Sequence, residues 1–133
     1  MHVKVVDASA IAAILFNEPQ ATDIANQLDK VSLIAPTLLW FEMASICLKK
    51  LTAHPDKRES ILQAFTLLDN FKIEAMEIDY PAVVKLAEKM GITTYDASYL
   101  WLASTHCVEL VTLDKKLQKA SKSLRLTFPT YQP

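Results

Sequence analysis

The stretch VKVVDASAIAAIL, residues 3–15, constrains the fold more than any other part of the chain. A run of apolar β-formers stops at an aspartate and passes at once into an apolar helical pattern. Strand-to-helix turns that receive phosphate through backbone N–H groups need glycine, because a side chain would hold the anion away. This turn has none, and the whole chain carries one glycine, Gly91. Dinucleotide-binding and P-loop folds are thereby excluded. A carboxylate, Asp7, stands where those folds take an anion, so a cation site is the first expectation.

The 133 residues are 51% hydrophobic and 22% charged, with a net charge of -1. That balance fits one compact domain over residues 1–133 with a sizeable core. The apolar stretch from Ala8 to Phe16 is too short to span a bilayer and follows a strand rather than the basic head of a signal peptide. The expected location is cytoplasmic, with no membrane partner. Cys47 and Cys107 lie far apart in apolar helical patterns, so neither a CxxC redox pair nor a thiolate zinc site is available. Both are expected to be reduced and buried. His2, His54 and His106 have no spacing that makes a metal or acid-base cluster.

Strand-like runs occur at Val3 to Val6, Ser32 to Ala35, Glu74 to Ile78 and Glu109 to Leu113, with a weaker one at Arg125 to Phe128. Helical patterns fill the gaps: Ala8 to Phe16, Gln20 to Leu28, a long apolar helix opened by Pro36, Lys57 to Phe71, a helix from Pro81 to its cap Gly91, one capped by Thr93 or Thr94 running to about His106, and a short one over Lys115 to Ser121. Strands alternating with helices predict a parallel sheet of four to five strands sandwiched between helices, with right-handed crossovers.

In such a sheet, ligands bind beyond the carboxyl ends of the strands, near a switch in strand order. Asp7 ends the first strand and Asp114 follows the strand Glu109 to Leu113, so both carboxylates reach the same edge. Asp96 falls in the first turn of the helix begun by TTYDASYLWLAS, and Glu42 sits within PTLLWFEMASICL, too apolar to carry an uncompensated charge cheaply. Each acid alone has an ordinary explanation: Asp7 and Asp114 as helix caps, Asp96 as an acid favoured by the helix dipole. Glu42 lies seven and eight residues from Lys49 and Lys50, beyond the spacing of a direct helical pair. Together the four suggest a hard divalent cation bound through oxygen, magnesium or manganese rather than zinc. One or two such ions would suit phosphodiester hydrolysis by in-line displacement. Ser9 and Thr112 are hydroxyls expected at the same rim, to hold a metal-bound water or an acid oxygen or to serve merely as a cap and a strand residue.

A basic tail follows: Lys115, Lys116, Lys119, Lys122 and Arg125 come after Asp114, and no acidic residue follows to the end of the chain. It is either a phosphate-binding stripe or a solvated helix face.

VVDASAI with Asp7, FEMASI with Glu42, TTYDASYLWLAS with Asp96 and LVTLDKKL with Asp114 resemble the four acidic motifs of PIN-domain nucleases, in family order and over nearly the whole chain. The resemblance implies a PIN-like three-layer α/β/α sandwich. It implies a magnesium- or manganese-dependent endoribonuclease of the VapC type: the toxin of a type II toxin-antitoxin pair, commonly a homodimer, neutralised by a cognate antitoxin. By the same resemblance Asp7, Asp96 and Asp114 bind metal, Glu42 is a further ligand or orients the attacking water, and Lys115, Lys116 and Lys119 hold RNA. Many members carry asparagine three residues after the glutamate; this chain has Ser45.

Other readings remain open on the residues. A haloacid-dehalogenase phosphatase needs a second aspartate where Ser9 stands, and a phospho-receiver needs an adjacent acidic pair where only Asp7 is present. A PIN ribonuclease that matures RNA without an antitoxin is one alternative. A non-catalytic interaction module, presenting Trp40, Phe41, Trp101 and the helix of Ile61, Leu62 and Phe65, is the other.

Overall fold

A computed structural model of the chain describes residues 2–127. Its four strands, β1 (His2–Val6), β2 (Val31–Pro36), β3 (Glu74–Met76) and β4 (Glu109–Val111), form one sheet in the order β3-β2-β1-β4. All three pairings are parallel, with Val5 opposite Ile34 on one side and Val6 opposite Val111 on the other. Seven α-helices flank it among the described residues: α1 (Ala8–Leu15), α2 (Ala21–Leu28), α3 (Leu38–Ala53), α4 (Arg58–Thr66), α5 (Tyr80–Met90), α6 (Thr94–His106) and α7 (Lys115–Thr127). The result is the expected α/β sandwich around a parallel sheet.

The core explains the sequence pattern. Strands covered on both faces read as continuous apolar runs, and Val5, Val6, Ile34, Ala35, Leu110 and Val111 are all buried. Helix α1 is buried almost all round, at Ala8, Ala10, Ile11, Ala12, Ala13 and Leu15, which is why its residues are mostly small. Tyr99, Leu100, Leu102 and Ala103 do the same for α6. Gly91 caps α5 with φ of 66°, and a Cβ there would meet nothing within 4 Å. The glycine therefore serves the left-handed backbone and no close approach.

Strand order positions the site. The chain lays down β1, β2 and β3 outward in one direction, then returns to place β4 on the free edge of β1. The switch falls between β1 and β4, whose carboxyl ends open onto a shared crevice. The Asp7 amide donates to the Val111 carbonyl at 3.3 Å, joining the two strand ends.

Several local expectations are corrected. Pro36 ends β2 instead of opening α3, which starts at Leu38; a strand's last position tolerates the missing N–H as well as a helix's first does. The helix expected over 57–71 is α4 between two 3-10 turns, Pro55–Lys57 and Leu67–Phe71. Helix α7 runs to Thr127, through most of the weak strand expected at 125–128, of which Phe128 lies outside the described residues. Leu117, Ala120 and Leu124, buried at helical spacing, carry α7 past Ser121. Both cysteines are free, but only Cys47 is buried; Cys107 is exposed as the left-handed C-cap of α6.

Candidate active site

Asp7 leaves β1 in extended conformation and caps α1, its Oδ1 accepting from the Ala10 amide at 3.1 Å. It does more than cap. Ser9 Oγ donates to Oδ1 at 2.7 Å, and Thr112 Oγ1, 105 residues away in sequence, donates to Oδ2 at 2.5 Å. The two hydroxyls then tie down the β4–α7 turn: Leu113 N donates to Ser9 Oγ at 2.9 Å and Asp114 N to Thr112 Oγ1 at 3.0 Å. A carboxylate has about four acceptor positions, so three donors leave Asp7 roughly one to offer elsewhere. Asp7 is only 6% exposed. Burial raises its pKa, the hydrogen bonds from Thr112, Ser9 and Ala10 work against that rise, and the Asp114 charge adds to it.

Asp114 caps α7, its Oδ1 accepting from the amides of Lys116 at 2.9 Å and Leu117 at 3.2 Å. Asp96 lies in the first turn of α6, where its own amide donates to the Thr93 cap at 3.1 Å. Burial raises the Asp96 pKa, Asp114 raises it further, and Lys116 lowers it. Glu42 reaches across from α3, and its Oε1 accepts from the Tyr99 hydroxyl at 2.5 Å. Burial raises the Glu42 pKa, Tyr99 opposes this, and the charges of Asp7 and Asp96 add to it. The Tyr99 hydroxyl is itself pushed well above its ordinary value by burial and then by Glu42, so it remains a donor.

All four carboxylates line one cleft of about 450 Å³ at the switch point, together with Ser9, Ser45, Lys49 and Tyr99. The ion pairs of Lys4 with Glu109 at 3.5 Å and of Lys50 with Glu18 at 3.4 Å involve none of the four. Among the described residues, no three acids, histidines or cysteines converge tightly enough to hold an ion as they stand. One oxygen of each of two acids is engaged elsewhere: Glu42 Oε1 accepts from Tyr99, and Asp114 Oδ1 accepts from the α7 amides. The donor chemistry nonetheless fits a hard divalent cation, since the cleft offers carboxylate and hydroxyl oxygens without thiolate or imidazole. Rotating the Glu42 or Asp114 side chain changes the approach of its oxygens without moving the backbone.

The structure therefore brings Asp7, Ser9, Glu42, Asp96 and Asp114 to one cleft, with Thr112 buried directly behind Asp7. Lys115, Lys116 and Lys119 are exposed on α7 and do not line it, although Lys116 acts electrostatically on Asp96. Sequence reasoning does not single out Tyr99 or Lys49 as site residues. Their signal is spacing: 42, 45 and 49 fall on one face of α3, and 96 and 99 on one face of α6. Tyr99→Phe removes a hydrogen bond to a half-buried charge and is expected to cost about 1.5–3 kcal/mol. A urea midpoint unchanged from wild type would show that Glu42 does not depend on that hydroxyl.

Residues 4–123 match the family model described as PIN domain. Among solved structures, the chain is similar to that titled "Crystal structure of PAE2754 from Pyrobaculum aerophilum", at 22% identity, covering 95% of this chain and 96% of that one with a TM-score of 0.71. At that identity the likeness is one of fold. No curated protein matches the chain.

Proposed function

The chain belongs to the PIN domain family, whose members are in general magnesium-dependent nucleases, and from that premise we propose that it is an endoribonuclease, the VapC-type toxin of a type II toxin-antitoxin pair. The observation that carries the nuclease reading is the convergence of four carboxylates on one cleft at the strand-order switch, with no ion pair among the described residues to balance any of them. Asp7, Asp96 and Asp114 would hold magnesium or manganese, one ion or two, with Glu42 as a further ligand. A bound ion would supply Lewis-acid polarisation and an acidified water for in-line displacement at phosphorus.

The chain's own groups then have distinct tasks. Ser9 and Thr112 fix both oxygens of Asp7, so that its remaining acceptor position has one direction. Tyr99 anchors Oε1 of Glu42, leaving the other oxygen to orient a water; the raised pKa makes this carboxylate the better proton acceptor. Among the described residues, Lys49 is the one cation lining the cleft, and it would meet a phosphate oxygen of the substrate. Lys115, Lys116 and Lys119 hold the RNA backbone outside it. Lys115→Ala with Lys116→Ala is expected to weaken RNA binding and reduce its log-log salt slope by about 1–2, near one for each phosphate no longer neutralised. An unchanged slope in fluorescence anisotropy would remove this face from the binding surface.

The protein would act as a homodimer restrained by a cognate antitoxin. The decisive experiment incubates purified protein, freed of any co-purifying partner, with structured and single-stranded RNAs in manganese, magnesium or chelator. Cleavage that requires metal supports the reading. Metal-independent cleavage, or none on any RNA, overturns it. A gene for a small antitoxin directly upstream separates the toxin role from RNA maturation by a PIN ribonuclease.

A further inference from the structure

Helix α3 walls the acidic cleft with three polar residues on one face, Glu42, Ser45 and Lys49, spaced three and four apart. A rise of about 1.5 Å per residue sets the backbone of Lys49 about 10 Å further along the helix than that of Glu42. Along this wall the cleft changes from carboxylate to hydroxyl to ammonium.

The acids act on one another: Asp7 and Asp96 on Glu42, and Asp114 on both Asp7 and Asp96. The cation that acts on Asp96 is Lys116, from α7. Lys49 is exposed, forms no ion pair among the described residues, and is not among the charges acting on Asp7, Glu42 or Asp96. Its charge is thus not spent as a counter-ion to the cluster. A lysine in water needs no partner, and exposure alone would leave it a solvated stem. Ser45 adds a second observation. It is exposed at the same wall one turn before Lys49, and its hydroxyl bonds no group among the described residues. A serine within a helix commonly bonds back to the carbonyl four residues earlier. Cα–Cβ bonds in a helix tilt toward its N-terminus, so the stem of Lys49 sets out toward Ser45. An ammonium and an unengaged hydroxyl therefore border one part of the cleft, beyond the acids.

The two ends ask for different things. Carboxylates repel a phosphate, so the acidic end receives one only through a bound cation, whereas an ammonium receives one directly. A ligand suited to both carries at least two phosphates on one chain. Phosphates along a stacked strand are about 3.4 Å apart and lie further apart when it is extended, so about 10 Å spans one to three of them.

We propose that Lys49, with Ser45, forms a subsite for a non-reacting phosphate about one to three positions from the scissile bond, so that the RNA strand runs along α3 with its reacting phosphate at the acidic end. This rests on the ribonuclease reading and deepens it, fixing which phosphate Lys49 meets and the line the strand takes through the cleft.

The test measures binding of a short fluorescent RNA in calcium, alongside copies in which one phosphate each is replaced by a neutral methylphosphonate. Cleavage in manganese locates the scissile bond and is followed separately. Wild type is expected to lose about three- to tenfold in affinity at one neutral position off the scissile phosphate, the range of one charge-assisted contact at a partly open site. Lys49→Ala is expected to show that loss on unmodified RNA, a salt slope lower by about 1, and no further loss at that position. Ser45→Ala should lose less on unmodified RNA and keep part of the sensitivity there. Lys50→Ala removes the same charge from the next residue, which pairs with Glu18 and does not line the cleft, and should keep the full sensitivity. Losses from Lys49→Ala and from the neutral position that multiply instead of coinciding overturn the subsite. Coincidence at the scissile phosphate itself also overturns it, by making Lys49 a catalytic residue. Binding that follows the expected pattern without cleavage keeps Lys49 on a phosphate and removes the nuclease. Cleavage without a neutral position that depends on Lys49 does the reverse, and a wild type that neither binds nor cleaves removes both.

Discussion

Asp96→Asn should reduce metal-dependent RNA cleavage by more than about a hundredfold while leaving the fold intact. Loss of a group that only orients a metal ligand costs about 10–100-fold, and a ligand should cost more. Asparagine keeps the size of the side chain and the amide that bonds Thr93, so the cap of α6 survives. It also removes a charge whose pKa is raised by burial and by Asp114, which relieves repulsion in the cleft. Melting at or above the wild-type temperature, together with abolished cleavage in both manganese and magnesium, would separate chemistry from folding. A variant that folds and still cuts would take Asp96 out of the site and return it to the role of a helix N-terminal acid.

Metal should stabilise the protein strongly, and more at neutral than at acid pH. Asp7, Glu42 and Asp96 all have raised pKa values, with burial the first cause in each. Above the ordinary carboxylate values of 3.8 and 4.5, and up to the raised ones, the folded chain binds more protons than the unfolded chain. Stability contributed by these groups therefore falls as pH rises through that window, the reverse of a salt-bridged carboxylate. A divalent cation offsets the same repulsion and competes with the proton for the same oxygens. At a hundred times its dissociation constant it adds about 2.7 kcal/mol, roughly 10 °C in melting temperature for a chain of this size. The gain should shrink as pH falls toward the ordinary carboxylate range and largely vanish in Asp96→Asn. Melting curves insensitive to manganese and magnesium at both pH values would sink the metal reading.

The parts of the site legible in the sequence are those fixed by short-range rules. Asp7 and Asp114 can be placed because strand ends and parallel topology define an edge, and Glu42 because a charge in an apolar helix calls for compensation. The bond from Tyr99 to Glu42 spans 57 residues and the one from Thr112 to Asp7 spans 105, and no local period encodes either. Lys49 offers itself in the sequence only as a partner for Glu42; two helical turns are too far for an ion pair but right for a shared wall. RLTF at 125–128 reads as a strand because four residues cannot distinguish the two periods, whereas 117, 120 and 124 continue a helix. Pro36 is ambiguous for a physical reason, since strand ends and helix starts spare the same N–H.

The hydroxyl stitch from Ser9 and Thr112 to Asp7 also sets an order of events during synthesis. A chain made from its N-terminus has Asp7 in hand almost at once, but the donor to Oδ2 emerges 105 residues later. Until β4 docks beside β1, that carboxylate lacks Thr112, the Leu113 and Asp114 amides have nothing to close against, and the Asp114 wall of the cleft does not exist. A chain without β4 thus has an incomplete cleft. The cleft closes only when β4 and the turn after it have joined β1.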